Sequence, residues 1–239
     1  MIRAFLVTLV TSIYVLVLGP PLLIYGLISG NTDPLYRVGM VGASMALWLA
    51  GVRLEIHGVE KIPRGQAVVF MANHQSNCDP PALLAILPPV LVLVKKEFFR
   101  VPILGRGMLA RGFIPVERRN REQALEAVEK GVDALKAGNS FLVYPEGTRS
   151  PDGRLQRFKK GVFVMALKAG APIVPVSVSG SNKIMPKGKF VIRPGGVRIT
   201  FHEPVLTRGF AVQDRQVIID RVRQAILAGL ENHEWPEEL

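Results

Sequence analysis

A long uncharged segment near the start of the chain limits the folds that this sequence can adopt. Residues Ala4 to Ser29 include no charged side chain, and about 20 apolar residues are enough to cross the ~30 Å hydrocarbon core of a bilayer. Gly19-Pro20-Pro21 interrupts the segment, and because proline removes a hydrogen bond from a helix interior, we expect a kink or a break there. The length of the segment favours a membrane-associated helix over a buried core helix.

A second, shorter uncharged run follows and completes a helical hairpin. It lies between Arg37 and Arg53 and is 15 residues long, which suits a shallow or re-entrant helix better than a full span. Asn31-Thr32-Asp33-Pro34 supplies a polar turn between the two runs. A cleaved signal peptide and a pair of core helices are the alternatives, but the first run is too long for either. We predict a membrane-associated helical hairpin in residues 1–52 and a separate domain in residues 53–239.

The charge of the chain is concentrated in the second of these regions. The formal net charge is +11, and residues 1–52 contain only Arg3, Asp33 and Arg37, so +10 falls on the remainder. Such an excess predicts an anionic partner, which can be a membrane surface, a phosphorylated substrate or nucleic acid. We expect anionic membrane lipids and no nucleic acid, because the N-terminus is apolar and no nucleic-acid-binding module is recognisable. The single cysteine cannot form an internal disulfide, which favours a reducing compartment.

Apolar runs alternate with amphipathic segments in the second region, which predicts an α/β domain with a mixed, largely parallel sheet flanked by helices. Predicted strands lie at 54–57, 67–72, 91–94, 113–116, 141–144, 173–178, around Phe190 and at 197–201. Predicted helices begin at Asp79, span 120–137 with Leu125, Val128, Val132 and Leu135 on one face, span 162–168, and close the chain with Ile218, Val222, Ile226 and Leu230. In such sheets, reactive groups gather in loops at the carboxyl ends of the strands.

The first candidate site is the polar stretch that follows the strand at 67–72, from Asn73 to Asp79. On one continuous helix, residues five apart are rotated by about 140° and cannot share a face. If His74 ends the strand and Asp79 starts the next helix, the loop can bring the two side chains together, and the carboxylate then orients the imidazole as a general base. The alternative is that Asp79 only caps the following helix and that His74 is an ordinary loop histidine. A nucleophilic Cys78 is a weaker rival, because its thiol would need to be exposed and have a lowered pKa. A zinc site is weaker still, because no fourth metal ligand at suitable spacing is apparent.

Three further basic or polar stretches are candidates for binding an anion. Glu146-Gly147-Thr148-Arg149 follows another strand, where glycine permits close approach and arginine offers a planar fork for phosphate. Arg118 follows the predicted strand at 113–116 and adds a second guanidinium, and Lys95-Lys96 end the strand at 91–94. Each stretch, taken alone, can equally be a solvated surface turn or edge.

Four blocks in this order resemble the 1-acylglycerol-3-phosphate acyltransferases of the bacterial type, within the glycerolipid acyltransferases. They are His74 to Asp79, Gly112 to Arg118, Pro145 to Ser150 with Tyr144 where phenylalanine is frequent, and Pro172 to Val176. Lys95-Lys96-Glu97-Phe98 also looks like the family's segment between the first two blocks. The resemblance covers roughly residues 54 to 205.

This resemblance implies a reaction and the residues that carry it. His74 would deprotonate the sn-2 hydroxyl of lysophosphatidic acid, which attacks the thioester of acyl-CoA or acyl-carrier protein to give phosphatidic acid, and Asp79 would orient His74. Glu146, Gly147, Thr148 and Arg149 would bind the glycerol phosphate, with Arg118 helping. Lys95 and Lys96 would bind the phosphate or an acidic acyl carrier.

The same resemblance implies that no metal and no cofactor beyond the thioester co-substrate is needed, and that the enzyme works on the cytoplasmic face of the cell inner membrane. Alternatives remain at this stage. They are an acyltransferase acting on another lyso-lipid such as an amino-acid lipid, a lipid-ester hydrolase that uses Cys78 or Ser76 with His74, and a non-enzymatic protein that binds anionic lipid.

Overall fold

The computed structural model describes residues 1–117 and 120–236. The helices in these ranges are α1 Ile2–Ser29, α2 Asp33–Ala50, α3 Asp79–Leu84, α4 Leu104–Ala110, α5 Arg121–Lys136, α6 Gly161–Ala169, α7 Ser181–Ile184 and α8 Arg215–Ala228. The strands are β1 Val52–His57, β2 Val69–Ala72, β3 Val90–Lys95, β4 Ile114–Val116, β5 Ser140–Val143, β6 Ile173–Ser179 and β7 Gly195–Phe201. Short 3-10 turns include Lys96–Arg100 and Asn232–Glu234.

The strands form a mixed sheet in the order β1-β7-β6-β2-β5-β3-β4. All neighbouring pairs are parallel except β6 with β7, which are antiparallel. Every residue of the central strands β2 and β6 is buried, as expected for strands that are covered on both faces. The predicted α/β class with a largely parallel sheet is therefore confirmed.

Two apolar layers cover the sheet, one on each face. The alternation of β2 separates them, since Phe70 and Ala72 face one layer and Val69 and Met71 face the other. The first layer contains buried side chains of α1, α2 and α3, and the second contains those of α5, α6 and α8. Because both faces are covered, polar groups that serve a site are left to the strand ends.

The first two helices form the predicted hairpin, but α1 is not broken at its prolines. The helix runs from Ile2 to Ser29 through Pro20 and Pro21, so the expectation of a split is wrong. Each proline removes only its own donor, and both halves of α1 contact the segment that follows. The hydroxyl of Tyr14 donates to the carbonyl of Val38 at 2.9 Å, and Gly26 lies beside Thr32.

Only one of the two helices has the length and hydropathy of a membrane span. Among the described residues, α1 meets both criteria, and α2 does not. A two-helix anchor is therefore not confirmed, although the two helices are present. The division of the chain at residue 52 stays a prediction.

Contacts at two separate points place α1 along α2 and the start of α4. Near its start, Arg3 Nη1 donates to the carbonyl of Ala50, the last residue of α2, at 3.3 Å. Sixteen residues later, Gly19 meets the side chain of Ile103, which precedes α4 and comes so close that a β-carbon on Gly19 would lie 2.5 Å from it. At 1.5 Å per residue these points are about 24 Å apart along the helix, so α1 contacts the following segments over this length.

Two local expectations were wrong. Phe190 lies in an irregular segment between α7 and β7, where prolines at both ends remove strand donors. Leu125 and Val128 share one side of α5, where both line a cavity, although Leu125 is 53% exposed. The predicted acidic N-cap is in fact the first residue of α3, and Cys78 occupies the cap position.

Candidate active site

The sheet order brings the first and third polar blocks together. Strands β2 and β5 are parallel neighbours, so the residues that follow them leave the sheet at the same edge. His74 comes two residues after β2, and Glu146 three residues after β5. The two segments are joined by main-chain contact as well, since the N–H of Ser150 donates to the carbonyl of His74 at 2.7 Å.

His74 and Asp79 are in direct contact. Nδ1 of His74 lies 2.8 Å from Oδ2 of Asp79. The imidazole is 14% exposed and the carboxylate is fully buried. If Nδ1 carries the proton and donates it to the carboxylate, Nε2 keeps its lone pair and is available as a base. The loop thus brings the two side chains into contact, which a continuous helix would not allow.

The carboxylate of Asp79 also shapes the loop that carries the imidazole. Its Oδ2 accepts the main-chain N–H groups of Gln75 at 2.7 Å and Ser76 at 2.8 Å. These donors precede α3, so Asp79 closes a loop and does not cap the helix that it begins. The alternative, in which Asp79 only caps the helix, does not account for this geometry. Oδ1 of Asp79 has no hydrogen-bond partner within the described ranges.

An aromatic ring supports the imidazole from one side. The rings of Tyr144 and His74 are stacked, with centroids 4.0 Å apart and planes inclined by 20°. The hydroxyl of Tyr144 is buried and has no hydrogen-bond partner among the described residues. Burial, followed by the nearby charge of Asp79, raises the pKa of this phenol well above its ordinary value. The ring, and not the hydroxyl, therefore makes the contact with His74.

Glu146 is turned inward and binds main chain. Its Oε1 accepts the N–H of His74 at 2.6 Å, and its Oε2 accepts the N–H of Gln156 at 3.1 Å. Only 3% of the residue is exposed. Desolvation raises the pKa of this carboxyl to about 7, against the lowering effect of the two hydrogen bonds. The geometry favours a role in holding the His74 loop.

The three residues after Glu146 are less buried than Glu146 itself. Gly147 has a φ of +70°, a conformation that glycine adopts without strain. Thr148 is exposed and Arg149 is half-buried. The carbonyl of Arg149 accepts a hydrogen bond from Lys187 Nζ at 2.6 Å. Lys187, which the sequence reasoning missed, thus brings a second cation to this block, and its position in a loop between α7 and β7 carried no signal in the sequence.

Lys95 and Lys96 bind polar groups on neighbouring segments. Lys95 Nζ lies 2.8 Å from Glu97 Oε1, and Lys96 donates to Gln123 at 3.3 Å. Both lysines are exposed at the end of β3, which lies next to β5 in the sheet. Arg118 lies outside the described residues.

The alternative nucleophiles are sequestered. Cys78 is 2% exposed, and burial raises the pKa of its thiol to about 12, which opposes thiolate formation. Ser76 is fully buried, and its hydroxyl donates to the carbonyl of Met185 at 2.9 Å. No group of three or more potential metal ligands occurs in residues 1–117 and 120–236. These positions serve loop structure, which disfavours the hydrolase alternative.

An apolar cavity lies beside Tyr144. Its volume is about 270 Å³. The wall is formed by α5, by the ends of β3, β4 and β5 and by the start of α6, through Leu93, Val116, Leu125, Val128, Val143, Tyr144 and Val162. Since Tyr144 contacts His74, the cavity and the imidazole share one side chain.

Comparison with known proteins places this site in a family. A family model described as Acyltransferase matches residues 53–179, which is about half of the chain and contains all four sequence blocks. The chain belongs to this acyltransferase family. The predicted family resemblance is therefore confirmed.

Acyltransferases with related sequences support the assignment. A chloroplast 1-acyl-sn-glycerol-3-phosphate acyltransferase of Brassica napus is 36% identical over 64% of this chain and 45% of its own length. The enzyme of that name from Borreliella burgdorferi is 33% identical over 66% of this chain and 63% of its own. The chain spans about half the length of the plant chloroplast relatives that it matches.

A solved acyltransferase structure shares the whole fold. The crystal structure of the 1-acyl-sn-glycerophosphate acyltransferase PlsC from Thermotoga maritima aligns with a TM-score of 0.79 at 28% identity. The alignment covers 95% of each chain, so the helical hairpin and the α/β domain both belong to the shared architecture.

Proposed function

We propose that this protein transfers an acyl chain from a thioester to the free sn-2 hydroxyl of lysophosphatidic acid, giving phosphatidic acid. The observation that carries the proposal is the 2.8 Å contact between His74 Nδ1 and Asp79 Oδ2 in a partly open site. The names of the related proteins support the same reaction. An acyltransferase acting on another lyso-lipid remains the alternative, and the acceptor assay below separates the two.

In the proposed step, Nε2 of His74 takes the proton of the acceptor hydroxyl as its oxygen attacks the thioester carbonyl. Asp79 holds the ring and stabilises the imidazolium that forms. The tetrahedral intermediate then collapses, the carbon–sulfur bond breaks, and the thiolate leaves with the proton that His74 returns. Because the thioester is already activated, the reaction needs no covalent enzyme intermediate, no metal and no further cofactor.

We assign the acceptor's phosphate to the cations of the segments that follow β3, β4 and β5. Arg149 offers a planar guanidinium that suits a phosphate, and Thr148 and the main chain at Gly147 lie next to it. Arg118, Lys95 and Lys96 complete the proposed anion site. Glu146 is proposed to contribute through the His74 main chain that it binds, and the direct substrate contact expected from the sequence stays a prediction.

The acyl donor is proposed to approach from the side of the apolar cavity beside Tyr144. An apolar wall next to the base suits an acyl chain whose carbonyl must reach the acceptor oxygen. Acyl-CoA and acyl-carrier protein both present such a thioester, and both are anionic. The exposed Lys95 and Lys96 therefore suit either donor.

The face that bears α1 is proposed to lie on an anionic membrane. Large apolar side chains of α1 are exposed, among them Phe5, Leu9, Ile13, Leu16 and Val17. Since α1 contacts α2 and Ile103 at points about 24 Å apart along its length, its exposed side can enter one leaflet while the basic domain stays at the surface. We propose that this surface is the cytoplasmic face of the cell inner membrane.

Thioester consumption by base variants tests the proposed chemistry. Purified protein in vesicles is assayed for free thiol release with lysophosphatidic acid, with a panel of other lyso-lipids, and with both donors. We expect His74→Ala to lose at least about 100-fold in turnover, the lower range for a general base. Cys78→Ala and Ser76→Ala are the controls. Near-normal turnover in a folded His74→Ala variant would reject the base assignment, and preference for another lyso-lipid would reject the acceptor.

A further inference from the structure

A buried carboxylate near the end of the described chain lies behind the His74 loop. Glu234 closes the turn Asn232–Glu234 and has no exposed surface. Its Oε1 accepts hydrogen bonds from Gln75 Nε2 at 3.0 Å and from the N–H of Gly180 at 2.9 Å. Its Oε2 accepts from the hydroxyl of Ser179 at 2.6 Å and from the N–H of Glu231 at 3.1 Å.

These four donors are all neutral. A buried carboxylate normally requires a cation or a full set of hydrogen bonds, and within residues 1–117 and 120–236 no cation contacts Glu234. The main chain at Glu234 is also engaged, since its carbonyl accepts the N–H of Leu155 at 2.9 Å. The turn is thus bound to the end of β6, to the loop after the third block and to Gln75.

Gln75 connects this carboxylate to the His74–Asp79 pair. Its side-chain amide donates to Glu234 and also to the carbonyl of Gly153 at 2.9 Å. Its main-chain N–H donates to Asp79 Oδ2 at 2.7 Å, the oxygen that contacts His74. The residue whose side chain binds Glu234 is thus also the main-chain donor to the oxygen that contacts the imidazole.

We infer that Glu234 is a positioning residue for acyl transfer, which acts through Gln75 on the His74–Asp79 pair. The inference rests on the proposed function, because it needs His74 to be the base. Glu234 touches no reacting atom, and it lies 159 positions from Gln75 in the sequence. We therefore expect Glu234 to affect turnover. Acceptor binding is assigned to Gly147, Thr148 and Arg149 and should not depend on Glu234.

Kinetics of Glu234 variants test the inference in the full-length protein. We expect Glu234→Ala to lower kcat about tenfold or more, because small misplacements of catalytic groups have effects up to about 100-fold. The acceptor KM should stay within about twofold, as for an interaction made only in the transition state. Glu234→Gln should keep most of kcat, since its carbonyl still accepts from Gln75 and Gly180.

A double mutant shows whether the effect runs through Gln75. Gln75→Met keeps the volume of the side chain but removes its amide, and should lower kcat by itself. Adding Glu234→Ala to Gln75→Met should then change kcat by less than about twofold, because coupled residues are not additive. Asn232→Ala, which shortens an exposed side chain on the same turn, is the matched control and should retain wild-type kcat.

Folding is checked by circular dichroism, and assays are run well below each melting temperature. Wild-type kcat in folded Glu234→Ala, or in folded Gln75→Met if the former does not fold, overturns the inference. A full additional loss in the double mutant also overturns it. An active His74→Ala variant would instead reject the proposed function, and that result is read independently of Glu234.

Discussion

Oε1 of Glu146 accepts the main-chain N–H of His74 at 2.6 Å, although 72 positions separate the two residues in the sequence. The other carboxylate oxygen accepts the N–H of Gln156. One buried side chain therefore fixes the strand end that carries the imidazole and the loop that follows the third block. The acidic residue of the third block thus serves the architecture of the site, because both of its carboxylate oxygens are turned toward main-chain donors.

This burial predicts a pH dependence of stability. The folded-state pKa of Glu146 is about 7, above its ordinary value of 4.5, so the folded protein keeps a proton that the unfolded chain has released between these values. The stability contributed by Glu146 is full below about pH 4.5 and is lost as the pH rises through 7. The free energy of unfolding of the wild type, relative to Glu146→Gln, should fall by roughly 3 kcal/mol over this window.

Urea titrations of the two proteins at half-unit pH intervals measure this difference. Subtracting the variant removes the contributions of other titrating groups that the two proteins share. A relative stability that is constant between pH 4.5 and 7, or that rises, would contradict the buried placement of Glu146.

Two substitutions of Tyr144 distinguish the contribution of its ring from that of its hydroxyl. Because the hydroxyl has no hydrogen-bond partner in the described part of the chain, Tyr144→Phe should stay within about 1 kcal/mol of wild-type stability and keep kcat. Tyr144→Ala removes the ring stacked on His74 and should cost about 3 kcal/mol and lower kcat. Thermal unfolding measures the stability of each variant, and thiol release measures its kcat. Equal losses in the two variants would show that the hydroxyl matters.

Arg149→Ala should weaken the proposed acceptor site. Hydrogen bonds to charged groups contribute about 1.5 to 3 kcal/mol, so kcat/KM for lysophosphatidic acid should fall roughly 10- to 100-fold, mainly through the acceptor KM. Arg208→Ala is the control, since Arg208 is exposed and lies beside Gly170, ahead of β6 and away from the strand ends that carry the site. An unchanged acceptor KM in Arg149→Ala would remove Arg149 from the phosphate site.

An acidic substitution on α1 should release the protein from membranes. Ile13 is 52% exposed in the middle of this helix, and isoleucine and aspartate differ by about 3 kcal/mol at the centre of a membrane helix. Ile13→Asp should therefore lower binding to anionic vesicles roughly 100-fold if Ile13 is immersed. Val217→Asp places the same charge at a 45% exposed position on α8. Co-sedimentation that is equal for both variants would place the membrane elsewhere.

The strands were predictable because their signal is local. Val69–Ala72, Ser140–Val143 and Ile173–Ser179 lie within two residues of the predicted bounds, since a continuous apolar run is the pattern of a strand covered on both faces. The failure at Phe190 has a local cause too, because the prolines around it outweigh its apolar side chain. The break that Pro20 and Pro21 suggested is absent, and α1 continues through both residues, since each proline removes only its own backbone donor.

The pairing of His74 with Asp79 was only half predictable. The residue types and the end of a strand suggested a general base, and the family blocks assigned its role. Whether the side chains touch depends on the loop, where Asp79 Oδ2 gathers the N–H groups of Gln75 and Ser76. No periodic pattern describes such a loop, because its shape follows from individual hydrogen bonds.

Residue pattern alone established the class of fold, the apolar first helix, the basic domain and the family, because each depends on side-chain type at short spacing. The contacts of Glu146 and Glu234 with the His74 loop came only from three-dimensional packing. They depend on the strand order β1-β7-β6-β2-β5-β3-β4 and on the position of the turn Asn232–Glu234. Such contacts join residues far apart in the chain, and the free energy that selects them is shared among many buried side chains, so no short stretch of sequence encodes them.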